Sequence, residues 1–300
     1  MRRVRCEATT RGALAVWGAA VLLLAARPGG AAGDAARGRV VFALAGGCGC
    51  HTSRDGPVGA GGGQVPTPFG TFYGTNITPD PNMGIGGWSD ADIEAAIRAG
   101  VVRGAGVESP AMPYYQYAGM ADQDVSDLIA YLRTLPPVAR PNRSHSGELP
   151  LARWAYRAWR WLFVPPLTPP RMAPADGPDR GRYLVAHVSI CGDCHTPRNW
   201  FGAPDVARYL AGAAQGPGGD EVPNITPHAS GIGEWSVDDV LSLLTTGMQP
   251  NFDNVQGVMA DVIDGVGGGP GYKHAPERDI RAIAEYVRAV PPIDNAVEAK

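Results

Sequence analysis

Apolar positions recur at helical spacing in four segments of the chain, two in each half. The spacing predicts helices over Asp90–Ala99, Asp122–Leu135, Val237–Thr246 and Glu277–Val290. Serine with aspartate three residues later precedes the first and third helices, which is the pattern of a capping box. Pro-Pro stops the other two. A third helix is expected before the Cys-His pair of each half, and no alternating strand pattern is visible. The prediction is an all-α fold with Gly- and Pro-rich loops.

The two halves of the chain repeat the same short sequences in the same order. The recurring stretches are Cys-His-Thr at Cys50–Thr52 and Cys194–Thr196, Asn-Ile-Thr-Pro at Asn76–Pro79 and Asn224–Pro227, and Gly-Ile-Gly-x-Trp at Gly84–Trp88 and Gly231–Trp235. Such an internal repeat indicates duplicated structural units. The predicted organisation is a signal over residues 1–32, domain 1 over 33–140, a connector over 141–176, domain 2 over 177–293 and a tail over 294–300. Each half has only a few short helices and therefore few residues to form an apolar core, so a non-protein group is expected at its centre.

The first 32 residues have the pattern of a secretory signal. Basic residues open the chain, and an apolar run from Gly12 to Ala26 follows and ends near small residues. An uncleaved anchor is the alternative, although 15 residues fall short of the roughly 20 that span a bilayer. Cys6 leaves with the signal. The remaining chain has 21 basic and 28 acidic residues, a net charge of −7 that disfavours a nucleic-acid partner.

The connector contains three of the seven tryptophans of the chain. The segment from Leu151 to Val164 combines them with arginines, at Trp154, Trp159, Trp161, Arg153, Arg157 and Arg160. One interpretation is a helix packed across both domains. The other is a docking patch for a partner or for the membrane surface. Periodicity does not separate the two.

The segment Cys191-Gly192-Asp193-Cys194-His195 is a C-x-x-C-H motif, the pattern of covalent c-type haem attachment. Residues three apart lie on one face of a helical turn, so both thiols reach the two vinyl groups of one haem. His195 follows directly as the proximal iron ligand. A structural zinc site would need a second Cys/His pair nearby, and a thioredoxin-like pair would need a βαβ context. Neither is visible.

The first copy of the motif is one residue shorter. Cys48, Cys50 and His51 form C-x-C-H, and two cysteines spaced by two point to opposite sides of a regular helix, about 200° apart. Gly46, Gly47 and Gly49 permit an unusual turn that delivers both thiols. The alternatives are attachment through Cys50 alone, and a degenerate copy without haem.

Methionine is a common second axial ligand of a c-type haem. The candidates are Met83, Met112 and Met120 in the first half, and Met248 and Met259 in the second. Met112 lies 61 residues after the histidine of its half and Met259 lies 64 residues after the other. The similar spacing favours this pair.

Trp88 and Trp235 occupy matching positions in the repeat. They are predicted to pack in the core, to donate an indole N–H to a buried haem propionate, or both. The remaining histidines are predicted not to bind iron because none has a counterpart in the first half: His145, His187, His228 and His274.

The chain resembles the bacterial multihaem cytochrome c subunits of membrane-associated dehydrogenases, such as those of alcohol and gluconate dehydrogenases. The resemblance covers about residues 33–293. It rests on the paired Cys-His motifs, Asn-Ile-Thr-Pro-Asp, Gly-Ile-Gly-x-Trp-Ser, Ala-Met-Pro-Tyr, Tyr-Leu-Arg-Thr-Leu-Pro-Pro and Cys-His-Thr-Pro-Arg-Asn. It implies two class I-like cytochrome c domains in tandem, with Met112 and Met259 as sixth iron ligands. The chain departs from that family in its C-x-C-H motif and in having no third Cys-His motif.

The resemblance implies a periplasmic electron carrier that is attached to the inner membrane or free of it. Its two c-type haems would take electrons from a dehydrogenase and pass them to a quinone, another cytochrome or an oxidase. The alternative is an enzyme, a dihaem peroxidase with one open iron site and acid/base groups beside it. A methionine for each domain argues against that alternative.

Overall fold

The computed structural model describes residues 32–146, 152–216, 219 and 221–297. The predicted signal therefore lies outside the described residues, apart from its last position. Each half begins and ends with a helix, and the two halves share one apolar core. No helix in the described ranges is both long enough and apolar enough to cross a membrane.

The first half contains four helices and two small hairpins. In chain order its elements are α1 (Ala35–Leu44), β1 (Gln64–Thr67), β2 (Gly70–Tyr73), α2 (Asp90–Ala99), β3 (Val101–Val102), β4 (Gly106–Val107), α3 (Tyr114–Tyr117) and α4 (Asp122–Leu132). Between α1 and β1 the segment Gly46–His51 forms a 3₁₀ turn. The capping box of α2 is present, since Ser89 and Asp92 exchange side-chain and backbone hydrogen bonds. Helix α4 ends at Leu132, three residues before the predicted end.

In its described residues the second half repeats this order with isolated β-bridges in place of the paired strands. The connector forms α5 (Ala152–Phe163), and the half itself contains α6 (Gly177–Tyr183), α7 (Cys191–His195), α8 (Val237–Thr246), α9 (Gly257–Asp264) and α10 (Glu277–Ala289). Helix α6 continues as one π-helical stretch, Leu184–Val188. Ser236 and Asp239 form the second predicted capping box at the start of α8. Two short 3₁₀ turns, Val206–Arg208 and Tyr272–His274, complete the half.

The four short strands were not predicted from the sequence. Strand β1 pairs antiparallel with β2, and β3 pairs antiparallel with β4. The strands have four residues or two, and Pro66 interrupts the alternation of the first. Strands this short carry almost no periodic signal. The strands lie in the segments between helices, and the fold class remains all-α.

Terminal helices cross in each half at a glycine. Helix α1 packs on α4 at Gly38, where a Cβ atom would overlap the backbone carbonyl of Asp127. Helix α6 packs on α10 at Gly181, where a Cβ atom would overlap the carbonyl of Ala282. Glycine lets the backbones approach this closely because it has no side chain.

A buried carboxylate reinforces the crossing in the first half. Asp127 on α4 accepts hydrogen bonds from the backbone N–H of Asp34 (2.6 Å) and from Arg37 Nε (2.7 Å). Gln123 Nε2 donates a third at 2.8 Å. Burial alone would raise the pKa of this carboxyl, but the donors outweigh it and lower the pKa. Asp127 therefore stays charged and fixes the start of α1 on α4.

Helix α5 packs on both halves, as one of the two interpretations of the connector predicted. Its buried residue Trp159 donates from Nε1 to the carbonyl oxygen of Phe201 in the second half, at 2.8 Å. The same indole lies edge-on to Tyr115 of the first half, with ring centroids 5.4 Å apart. The opposite face of α5 is exposed to solvent.

Candidate functional site

The second Cys-His motif lies on the short helix α7. Residue Ile190, just before it, adopts a left-handed conformation with φ 43° and ψ 42°, which turns the chain sharply from the π-helical stretch into α7. Cys191 and Cys194 are three residues apart on one helical turn, as the spacing predicted. Burial raises the pKa of the Cys191 thiol to about 12. Both thiols of this motif are therefore neutral at physiological pH.

Each motif histidine presents one ring nitrogen to a backbone carbonyl. His51 Nδ1 lies 2.8 Å from the carbonyl oxygen of Thr75, and His195 Nδ1 lies 2.9 Å from that of Pro223. A carbonyl only accepts hydrogen bonds, so Nδ1 carries the proton and Nε2 keeps its lone pair. Burial lowers the pKa of both imidazoles further than the carbonyls raise it. Both rings are neutral, oriented and available to a metal through Nε2.

The first motif has the unusual turn that its shorter spacing requires. Gly46, Gly47 and Cys48 all have positive φ, at 64°, 66° and 47°, so three consecutive residues are left-handed. Burial, with a contribution from the charge of Cys50, raises the pKa of the Cys48 thiol to about 12. The turn therefore departs from the regular helix that would point the two thiols to opposite sides.

Each half packs against the Cys-His motif of the other half. In one direction, α3 of the first half contacts Asp193, which lies between Cys191 and Cys194. The Asp193 carboxylate accepts from Tyr115 Oη at 2.8 Å and from Gln116 Nε2 at 3.1 Å. Arg198 also donates to this carboxylate, and it binds the Tyr115 hydroxyl at 3.1 Å. Burial, followed by the charge of Asp193, raises the pKa of Tyr115 well above its usual range.

In the other direction, the segment after Met259 packs on the first motif. A Cβ atom at Gly46 would lie 3.3 Å from Val262 Cγ2, and one at Gly47 would lie 2.9 Å from the carbonyl oxygen of Pro270. Both glycines also need positive φ, so a larger residue at either position is unfavourable on two counts. Each Cys-His motif therefore lies against the opposite half of the chain.

Burial raises the pKa of thiols in both motifs. Burial is the main cause of the raised pKa of Cys194, and the charges of Asp193 and Cys50 add to it. Burial also raises the pKa of Cys50 to about 11, and the charge of Asp193 contributes. Cys50 is nevertheless accessible to solvent.

The candidate sixth ligands differ in their surroundings. Met112 is half-buried in the turn before α3, where its N–H donates to the carbonyl of Ser109 at 3.1 Å. Met259 is half-buried on α9 and packs against the core. Met120 is fully buried in the core, whereas Met83 and Met248 are exposed. Met112 and Met259 stay the predicted sixth ligands.

Trp88 and Trp235 are half-buried and pack against the apolar core, which agrees with one of their two predicted roles. The donation of their indoles to propionates stays a prediction. Three of the four histidines predicted not to bind iron have partners of their own. His187 binds the carbonyl of Gln116 across the interface between the halves, His145 accepts from the N–H of Tyr73, and His228 pairs with Ser230.

The residues present fit a covalently bound haem in each half. Each motif offers two neutral thiols and one imidazole with a free Nε2. Three buried hydroxyls in the described part of the chain have no hydrogen-bond partner: Tyr114 in the first half, and Ser189 and Tyr209 in the second. Tyr209 packs on Gly192 and its pKa is raised by burial and by the charge of Cys191, so it lies beside the second motif. Unsatisfied hydroxyls in such places suit a group with polar edges.

Comparison with known proteins agrees with this geometry. The family model for cytochrome c matches residues 35–136. A diheme cytochrome c-type protein of Cereibacter sphaeroides is 40% identical over 274 residues, which cover 88% of each chain. The present chain belongs to the cytochrome c family. This cytochrome carries covalently bound c-type haem and transfers electrons; it is not itself a catalytic enzyme.

The cytochrome is also similar to subunits of dehydrogenases. It is 35% identical over 269 residues to the cytochrome c subunit of a quinone alcohol dehydrogenase from Gluconobacter oxydans, covering 86% of this chain and 55% of that subunit. It is 36% identical over 264 residues to the gluconate 2-dehydrogenase cytochrome c subunit of Pantoea cypripedii, covering 83% of this chain and 58% of that subunit. The chain thus spans a little over half the length of these dehydrogenase subunits.

Proposed function

We propose that this cytochrome is a two-haem relay that passes electrons from a dehydrogenase to the respiratory chain. In this proposal His51 and Met112 bind one iron, and His195 and Met259 bind the other. Cys48, Cys50, Cys191 and Cys194 form the thioether bonds. The bound haems supply one-electron Fe(II)/Fe(III) chemistry, and the chain holds them, excludes water from them and sets their potentials.

The observation that carries this proposal is the contact of each Cys-His motif with the opposite half of the chain. Tyr115 and Gln116 of the first half donate to Asp193 of the second motif, and Val262 and Pro270 of the second half pack on Gly46 and Gly47 of the first. Both haems would therefore be held by residues at the interface between the halves. Such an arrangement suits electron exchange within one molecule, because the two halves need not move relative to each other.

The proposed location is the periplasm, with peripheral attachment to the inner membrane. The signal-like first 32 residues support export, and covalent haem attachment agrees with it. The proposed donor is a dehydrogenase, because several relatives are named as cytochrome subunits of such enzymes. The proposed acceptor is a quinone, another cytochrome or an oxidase. A dihaem peroxidase is not favoured, because the relatives are electron-transfer components.

An intact-mass measurement of the mature holoprotein tests the relay. We expect the mass of the chain from about Gly33 plus two haems, which would require a working C-x-C-H attachment. The Cys48→Ser variant should keep both haems but lose one thioether, which shifts the α-band of the pyridine haemochrome to longer wavelength. A mass with one haem would refute the relay. An unshifted spectrum in the Cys48→Ser variant would show attachment through Cys50 alone.

We expect Asp193 to lower the potentials of the bound haems. Its carboxylate stabilises the more positive ferric state, so Asp193→Asn should raise the midpoint potential at the second motif. The expected rise is on the order of 30–90 mV, the size of a charge interaction across several ångströms in a partly buried site. Redox titration followed by visible absorption measures it.

The matched control for this potential is Asp179→Asn. Asp179 forms an exposed ion pair with Arg182, at 3.0 Å, and does not contact either Cys-His motif. Its substitution should leave both potentials within a few millivolts, because exposed pairs are screened by solvent. Equal shifts in the two variants, or a lower potential in Asp193→Asn, would contradict the role given to Asp193.

A further inference from the structure

The exposed face of α5 is apolar and flanked by arginine. Trp154 and Trp161 are seven residues apart, which places them within about 20° of each other on a helix. With Ala158 and Leu162 they form what we call the tryptophan stripe. Trp154 is 67% exposed, Trp161 83% and Leu162 62%. Large apolar side chains are rarely this exposed together unless another surface covers them.

The opposite face of α5 already has its partners. Trp159 and Phe163 point towards the second half, and the Phe163 and Phe201 rings lie 5.9 Å apart. The stripe is therefore not an unfinished part of the protein core. It faces away from the contact that holds the helix in place.

The charge around the stripe is opposite to that of the protein. Residues 149–175 contain four arginines and no acidic residue, whereas the chain without its signal has net charge −7. Arg157 lies over the Trp154 ring at 5.1 Å. Arg153 binds the carbonyl of Ala105 and so fixes one edge of the helix. A basic, tryptophan-rich helix face on an acidic protein is complementary to an anionic surface with an apolar interior.

We propose that the tryptophan stripe docks this cytochrome on an anionic phospholipid bilayer. The indoles of Trp154 and Trp161 insert at the headgroup level, where an amphipathic ring is favoured. Arg157 and the other arginines of residues 149–175 bind lipid phosphates. The helix lies in the plane of the interface and does not cross it. This inference rests on the proposed periplasmic location, and it names the surface and the lipid chemistry of the contact.

The stripe also relates the membrane to the redox site. Trp159 on α5 touches Tyr115, and Tyr115 donates to Asp193 of the second motif. A bilayer that holds α5 therefore holds the second Cys-His motif at a fixed, short distance from the lipid. A lipid-soluble electron acceptor would meet the cytochrome on this side.

Sedimentation of the mature holoprotein with lipid vesicles tests the proposal. We expect binding to vesicles of phosphatidylglycerol and phosphatidylethanolamine, and at least tenfold weaker binding to phosphatidylcholine vesicles. Trp161→Ser should reduce the partition coefficient on anionic vesicles about tenfold, and Trp154→Ser/Trp161→Ser should reduce it further. Arg157→Gln should reduce it about fivefold, the effect of one basic residue at an anionic surface.

The matched control is Trp200→Ser. Trp200 is 97% exposed but lies outside α5, so its loss should change binding less than twofold. Equal effects of Trp161→Ser and Trp200→Ser, or no binding to anionic vesicles, would overturn the proposal. Self-association that disappears in Trp161→Ser would also overturn it, because a second copy would then cover the stripe.

The haem content of the same samples separates this proposal from the relay. A protein that holds two haems and does not bind vesicles would refute the membrane contact alone. A protein that binds vesicles with one haem would refute the relay alone. Unchanged far-ultraviolet circular dichroism in the tryptophan variants would confirm that they are folded.

Discussion

Met259→Ala is expected to open one iron to external ligands while the haem stays attached. Carbon monoxide should bind one site per molecule in the reduced variant and none in the unchanged protein. The sulfur-to-iron absorption band in the far red should fall by half. The potential of that haem should drop on the order of 0.1 V or more, within the roughly 0.8 V over which axial ligands set haem potentials. Met112→Ala should do the same at the other site.

Exposed methionines provide the controls for this result. Met83→Ala and Met248→Ala remove side chains of the same type that are 42% and 43% exposed. Neither variant should bind carbon monoxide or lose the far-red band. Carbon monoxide binding in Met248→Ala but not in Met259→Ala would show that the similar spacing within the repeat identified the wrong residue.

Gly38→Ala is expected to destabilise the folded protein by about 1–3 kcal/mol, in the range of overpacked cores. Alanine is intrinsically the better helix former by about 1 kcal/mol, so intrinsic preference alone predicts the opposite sign. The loss arises because the new methyl would overlap the carbonyl of Asp127 and force α1 away from α4. Gly181→Ala should behave alike at the crossing of α6 and α10. Denaturant unfolding of the holoprotein, followed by circular dichroism, measures both.

Arg39→Ala is the control for the helix crossing, because Arg39 is exposed on the same helix. Its substitution should change the free energy of unfolding by less than about 0.5 kcal/mol. If Gly38→Ala were as stable as this control, α1 would have room to shift. The close approach of α1 and α4 would then not be required for stability.

The sequence was most informative where one segment determines its own structure. Helices α2 and α8 have the predicted bounds, because Ser89 and Ser236 start them and the following Gly100 and Gly247 end them in left-handed caps. The two Cys-His motifs were recognisable for the same reason, since their chemistry lies within five or six residues. Helix α5 was predicted as one of two interpretations of the connector, because its apolar pattern has no marked start or stop signal.

Contacts between distant segments were not predictable from the chain. Tyr115 and Asp193 are 78 residues apart, and nothing in either local sequence marks the hydrogen bond that joins them. Gly38 and Gly181 occupy equivalent places before the two Cys-His motifs, so the repeat contained a signal for the helix crossings. It was hidden by the high glycine content, 41 residues in the chain. The short hairpins lacked any signal of that kind.

The interlocked packing has a consequence for the history of the duplication. Gly47 occupies the place, counted back from the histidine, that Cys191 holds in the other copy. The carbonyl of Pro270 lies where a side chain at Gly47 would begin. A cysteine at Gly47 would restore C-x-x-C-H to the first half, but its side chain would overlap the second half of the same chain. The two copies have ceased to be interchangeable, and neither surface is complete when it is expressed without the other.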